Sequence, residues 1–281
     1  MSTATVKAKT SKSTSAVSKK KASPHSEKYV LNCTPSRNTE KDWNDGHALA
    51  AGVIRPLTIP TSKDLRASWW PVGDQGVTGS CVGWATADSL LRWHFVKTHK
   101  IADSETMSTR FIWMAAKESD EFSSYPSTFI DSDGTSLKAA LDIARKFGSV
   151  TSNVLPFDTG KLYKGDAQTF YALAARLKIA SYFNLGIKAQ SWRIWLATQG
   201  PILTRLDVDE TWDNATATKG KLATYKPDTT RGGHAVSIVG YTPSSFIVRN
   251  SWGTGWGDKG FAYASDEYAL SAFTEAYGIS V

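Results

Sequence analysis

The order in which apolar residues change their spacing constrains this chain most. They recur at helical spacing in five stretches between positions 81 and 199, and from Pro201 onward short strand-like runs take over. The first predicted helix follows Cys81 for about 18 residues, with no Gly or Pro beyond Gly83. The others are Ser108–Glu118, Ser136–Phe147 (closed by Gly148 as its C-terminal cap), Ala167–Leu177 and Trp192–Gln199. Predicted strands are Pro201–Val208, His234–Thr242, Ser245–Asn250, Lys259–Ala264 and Ala276–Val281. Helices first and strands later predict an α+β fold of two lobes, with a cleft at their seam. The globular domain is read as 64–281, a helical lobe of about 64–150 and a β-rich lobe of about 151–281. No internal repeat is visible.

Two segments precede it. Residues 1–28 are rich in Ser, Thr, Lys and Ala and read as a disordered tail. Residues 29–63 carry turn formers (Pro35, Gly46, Pro56, Pro60) and no helical period, so they read as extended chain lying on something. The net charge of +7 belongs mostly to the tail, where seven lysines face one acid, Glu27, within residues 1–30. Such a tail can contact anionic surfaces, nucleic acid or lipid, while the domain itself is nearly neutral. A composition 41% hydrophobic and 21% charged is that of a soluble globular protein. No apolar run approaches the roughly 18 residues of a membrane span. The first 30 residues hold no apolar core of a secretory signal. The expected location is therefore cytoplasmic, or outside by a route without a Sec-type signal peptide.

Only two cysteines occur, Cys33 and Cys81. They cannot make a disulfide framework, and the five histidines show no ligand spacing, so neither a metal nor a cofactor is expected. Such sparing use of thiols fits a reducing compartment.

Cys81 sits in G-D-Q-G-V-T-G-S-C-V-G-W-A, at the predicted start of a helix with Ser80 as N-cap. The unpaired N–H groups and positive dipole end there favour a thiolate, the nucleophilic form. The plainer alternative is a small buried hydrophobe. Gln75, six residues earlier, can donate its amide to a developing oxyanion together with the Cys81 N–H; otherwise it is a polar loop residue. His234 lies in G-G-H-A-V-S-I-V-G-Y-T; histidine is the side chain whose ordinary pKa is near neutrality, so it can take the thiol proton and return it to a leaving amine. Asn250 follows sixteen residues later in N-S-W-G-T-G-W-G. Two strands joined by a short turn at Thr242–Ser245 bring it beside His234, which its carbonyl can orient while Trp252 covers the bond. A lone His on a strand is otherwise a core residue.

These segments, in this order and at these spacings, resemble the papain family of cysteine peptidases, from about Pro60 to Ala264. I-P-T-S-K-D-L-R is similar to the start of the mature domain. The resemblance implies Cys81 as nucleophile, His234 as its ion-pair partner, Asn250 as the orienting residue and Gln75 in the oxyanion hole. It implies the two-lobed fold, a helical lobe after Cys81 and a β-barrel lobe bearing His234 and Asn250. It also implies substrate-backbone pairing at Gly134 and Thr135, and an apolar pocket lined by Leu206 and Ala235 with Arg205 nearby. The chain departs from the family at Thr78, where secreted members have a cysteine, at Val82, where an aromatic is usual, and at Gly233, where Asp or Asn is common. The missing cysteine implies a disulfide-poor member of bacterial or viral type.

Residues 1–63 are short for the family's helical inhibitory prosegment and lack its pattern, and residues 29–57 are the span read as inhibitory. Residues 29–45 are read as an extended strand crossing the cleft and inhibiting the enzyme, which is then made as a zymogen; packing along the back of a lobe is the alternative. Cys33 then reaches Cys81. The expected activity is endopeptidase cleavage of a peptide or protein substrate through an acyl-enzyme. The same thiolate equally serves an acyl transferase, deamidase or ligase, and loss of catalysis would leave a peptide-binding module.

Overall fold

The computed structural model describes residues 29–55, 58–120, 125–158 and 160–281. The basic tail lies outside these residues. The segment read as wholly extended contains a six-residue helix, α1 (Asp45–Ala50), started by a reciprocal cap between Asn44 and His47. It is too short to show a period, which is why its sequence reads as extended. Next, β1 (Lys63–Asp64) pairs with the later strand through Tyr241 and Gly240.

Cys81–Gly83, Trp84–Leu91 and Arg92–Lys97 follow without a break as one helix, α2, its middle wound in the wider π form. Almost every α2 side chain is buried, polar ones included. Asp88, Ser89 and Arg92 are buried within a paired cluster. Asp88 Oδ2 lies 2.7 Å from Arg249 on the sheet, and Arg92 lies 3.5 Å from the other Asp88 oxygen. Arg249 also donates to Ser89 Oγ at 2.7 Å and Pro71 O at 2.6 Å. α3 (Thr109–Ser119) is capped by Ser108, whose hydroxyl accepts from Phe111 N, and packs on α4 (Leu137–Lys146), capped likewise by Ser136.

α4 ends at Gly148, with φ +93°, as its sequence predicts. A Cβ here would also press on the Ala174 carbonyl. Gly148→Ala is expected to cost at least about 1–2 kcal/mol, read as a lower urea midpoint at unchanged slope.

The remaining elements are α5 (Ala167–Ala175), β2 (Ser181–Asn184), α6 (Ala189–Thr198), β3 (Ile202–Val208), β4 (Lys221–Leu222), β5 (Gly232–Tyr241), β6 (Ser245–Arg249), β7 (Phe261–Ser265), α7 (Asp266–Ala272) and β8 (Phe273–Ser280). The strands form an eight-stranded sheet in the order β2-β8-β3-β5-β6-β7-β4, with β1 beside β5. Only β4 runs parallel to its neighbour. The fold is thus α+β, but the sheet is open where a barrel was expected: β2 and β4 stand at opposite ends. The β2 edge is covered by the N-terminal segment, Asn184 N donating to Trp43 O at 2.7 Å. Among the described residues no helix is long and apolar enough to cross a membrane.

Candidate active site

Cys81 is the first residue of α2, with no solvent exposure. Ser80 does not cap it: its backbone (φ −89°, ψ 13°) is not extended, and its hydroxyl pairs with Thr78 Oγ1 at 2.6 Å. The Cys81 thiol is held well below the usual thiol range by a hydrogen bond from Cys33 and by the His234 imidazole, against the effect of burial.

The β5–β6 hairpin sets the second half of the site. Its register pairs Ser237 with Arg249, so Asn250, the next residue, falls two positions from His234 along the facing strand, within reach of its side chain. His234 Nε2 is 2.8 Å from Asn250 Oδ1. That oxygen also accepts from Ser251 N at 2.8 Å, so it is fixed from two sides. With Nε2 so used, Nδ1 is the nitrogen turned to Cys81. Trp252 lies over the imidazole at 4.8 Å between ring centres, and Trp212 meets it edge-on at 5.8 Å. The pair is thereby shielded from water.

Gln75 is buried beside this pair. Its Oε1 accepts from Ser251 Oγ at 2.8 Å and its Nε2 donates to Thr78 O at 3.0 Å. One amide proton remains for another acceptor.

Residues 29–36 run between the lobes across these groups. Tyr29 stacks on Trp252 with ring centres 4.4 Å apart, and its hydroxyl donates to Trp252 O. Asn32 Nδ2 donates to Ser132 O. Cys33 N donates to Gly233 O at 3.0 Å, and Thr34 N to Thr135 O at 3.2 Å. Arg205 Nε donates to Cys33 O at 3.0 Å, and Ser36 N donates to Glu275 Oε1 at 2.8 Å. A side chain at Gly134 would strike Asn32 O, and one at Gly233 would strike Cys33 O, so both glycines are needed for this close approach.

Cys81, His234, Asn250, Gln75 and Trp252 are therefore brought together, with Gly134, Thr135 and Ala235 along the same cleft. Leu206 is not among them. It pairs with His234 on β3 and belongs to the sheet core, whereas Arg205, paired with Ala235, reaches the cleft. The inward face of β3 is thus one residue out of step with the expectation.

Several cleft residues carry little signal in the sequence. Glu275 is mostly buried, with its carboxyl pushed up by that burial, and lies just before Ala276, where the strand expected from the sequence begins. Ser251, which holds Gln75, is hidden in a motif whose neighbours draw the attention. Among the described residues no cluster of three or more His, Cys, Asp or Glu is arranged to hold a metal ion.

The chain is similar to known proteins in sequence and in fold. The family described as "Papain family cysteine protease" matches residues 59–277. Cathepsin B-like CP3 of Giardia intestinalis is 25% identical over 232 residues, 77% of this chain and 73% of that protein. Cysteine proteinase B of Leishmania mexicana is 23% identical over 235 residues, 76% of this chain, which spans about half (48%) of that protein. Xylellain, a cysteine protease from Xylella fastidiosa, superposes with a TM-score of 0.71 at 21% identity, covering 90% of this chain and 96% of that structure. The procathepsin B S9 of Trypanosoma congolense does so at 0.65 and 14% identity, covering 89% and 86%. The two structures speak for the fold.

Proposed function

The chain belongs to the papain family of cysteine proteases, and we propose that it is an endopeptidase whose catalytic set is Cys81, His234, Asn250 and Gln75, inhibited in the full chain by residues 29–57. The observation that carries the reading is the 2.8 Å His234–Asn250 bond beside a thiol of lowered pKa.

The chemistry follows from the groups in place. Cys81 sulfur attacks the scissile carbonyl. The oxygen that gains charge is held by the spare Gln75 proton and the Cys81 N–H. The His234 imidazolium gives its Nδ1 proton to the leaving amine as the C–N bond breaks. Water then attacks the thioester, returning a proton to His234 and releasing Cys81 as thiolate. Asn250 keeps the ring turned correctly through both halves, and Trp252 keeps water off that bond.

Endopeptidase action is supported by the way residues 29–36 extend to both sides of Cys81, toward Trp252 and toward Glu275. A chain fits through, not merely an end. Inhibition is supported by the same contacts, since the segment takes the glycine edges at 134 and 233 that an extended substrate would need.

The test compares the full chain with one beginning at Thr58, on an unfolded protein substrate and with an epoxide inhibitor of thiol peptidases. Release of the segment is expected to raise cleavage more than about tenfold, as the competent fraction rises, with a single adduct on Cys81. Equal activity of the two forms removes the inhibitory role; absence of an adduct in both removes the catalytic one. An added amine separates hydrolysis from acyl transfer: transfer would give the amide as main product, where we expect the acid.

A pH profile checks the activated thiol. The lowered Cys81 pKa leaves it thiolate below the range of an ordinary thiol, whereas burial and its bond to Cys81 push Cys33 up. Alkylation of Cys81 by iodoacetamide should therefore persist into mildly acid solution, while Cys33 reacts only in alkali. Equal pH dependence of the two would contradict the assignment.

A further inference from the structure

We propose that Cys33 and Cys81 form a reversible disulfide that locks residues 29–36 over the nucleophile. This rests on the reading of Cys81 as the reactive thiol, and adds a covalent modification to it.

Both thiols are buried in the same side-chain cluster between the lobes, and neither is in a disulfide here. Cys33 is held in place at both backbone groups, its N–H on Gly233 O at 3.0 Å and its carbonyl under Arg205 Nε at 3.0 Å. Its flanks are anchored on opposite lobes: Asn32 bridges to Gly233 on the sheet, and Thr34 to Ser136 on the helical side. The sulfur's hydrogen bond to Thr34 O is long, at 3.8 Å, and so holds the thiol only weakly. The segment places Cys33, the chain's only other cysteine, in the same buried cluster as Cys81.

The chemistry divides the roles. The oxidant is a peroxide. Cys81 thiolate attacks one peroxide oxygen; with one proton taken up, the O–O bond breaks to give Cys81 sulfenic acid and water. The Cys33 thiol then attacks the sulfenic sulfur, the S–OH bond breaks, and a second water leaves as the S–S bond forms. Two electrons pass from the two thiols to the peroxide. A dithiol reductant reverses the lock, returning both thiols and becoming the cyclic disulfide itself. Closure does two things. It makes departure of the segment impossible without reduction, and it keeps Cys81 from oxidation to sulfinic acid, which thiols do not reverse.

The experiment treats the reduced full chain with hydrogen peroxide, blocks remaining thiols with N-ethylmaleimide under denaturing conditions and maps the peptides. The expected product is one linked peptide joining Cys33 to Cys81, lighter than the reduced pair by two hydrogens and removed by dithiothreitol. The Cys33→Ser chain should instead accumulate Cys81 sulfinic acid that dithiothreitol does not restore. Cys33 still alkylated while Cys81 is oxidised, or both alkylated after treatment, overturns the proposal. Folding of Cys33→Ser is not needed for this, because the linked peptide is read in the unaltered chain. The function reading fails separately: iodoacetamide at mildly acid pH, applied to the chain beginning at Thr58, would then leave Cys81 unmodified. Modification of Cys81 in that form without a linked peptide in the full chain sinks the lock alone.

Discussion

Replacing His234 by Ala should lower turnover of a peptide substrate by the segment-free enzyme by about 10⁴–10⁶-fold, as loss of the base from a nucleophile–base pair does. On the proposed mechanism the imidazole has two tasks. It keeps Cys81 in the thiolate form, and it supplies the proton without which the amine is a poor leaving group. With it gone, a group that lowers the Cys81 pKa is lost. Because the ring is wedged between Trp252 and Trp212, its removal also opens a space, so folding must be checked by near-ultraviolet circular dichroism. Asn250→Ala provides the graded comparison: a smaller fall in kcat, with KM little changed, since Asn250 acts only through the ring. A His234→Ala enzyme within tenfold of the parent would place the base elsewhere.

Asp88→Ala should be the costliest single change to stability, about 3–5 kcal/mol, because it leaves Arg249 and Arg92 buried without their carboxylate. The loss reads directly as a drop in unfolding free energy in urea. The discriminating experiment is the double replacement Asp88→Leu with Arg249→Met. It should recover most of the loss, since the cost comes from stranded charge and not from the pair's own attraction. A single-variant cost below about 1 kcal/mol would mean that water reaches the cluster. The network joins α2, which begins at Cys81, to β6, which ends one residue before Asn250. Its weakening should therefore also loosen the catalytic geometry.

Much of this was legible in the sequence, and the reasons differ by residue. The Gln75–Cys81 and His234–Asn250 spacings are short-range, set by one turn and one hairpin, so counting residues suffices. α3 and α4 are bounded by Ser caps and a left-handed Gly, which act locally. What escaped depends on distant partners. Leu206 and Arg205 exchange places because strand parity is set by pairing with β5, not by the strand itself. Ser80 looks like a cap but spends its hydroxyl on Thr78. α1, β2 and β4 are too short for periodicity, and β2 and β4 exist only through the strands beside them.

Gly134 and Gly233 have an evolutionary consequence. Each lacks a side chain so that a backbone can come close, and that backbone is the chain's own at Asn32 and Cys33. On the proposed function, the same bare edge must admit the substrate. Any side chain added there would expel inhibitor and substrate alike, so selection cannot free the enzyme by remodelling the cleft. A lineage drifting toward constant activity has to do so through the segment, by loss of Tyr29, Cys33 or the backbone between them, while the glycines stay under constraint.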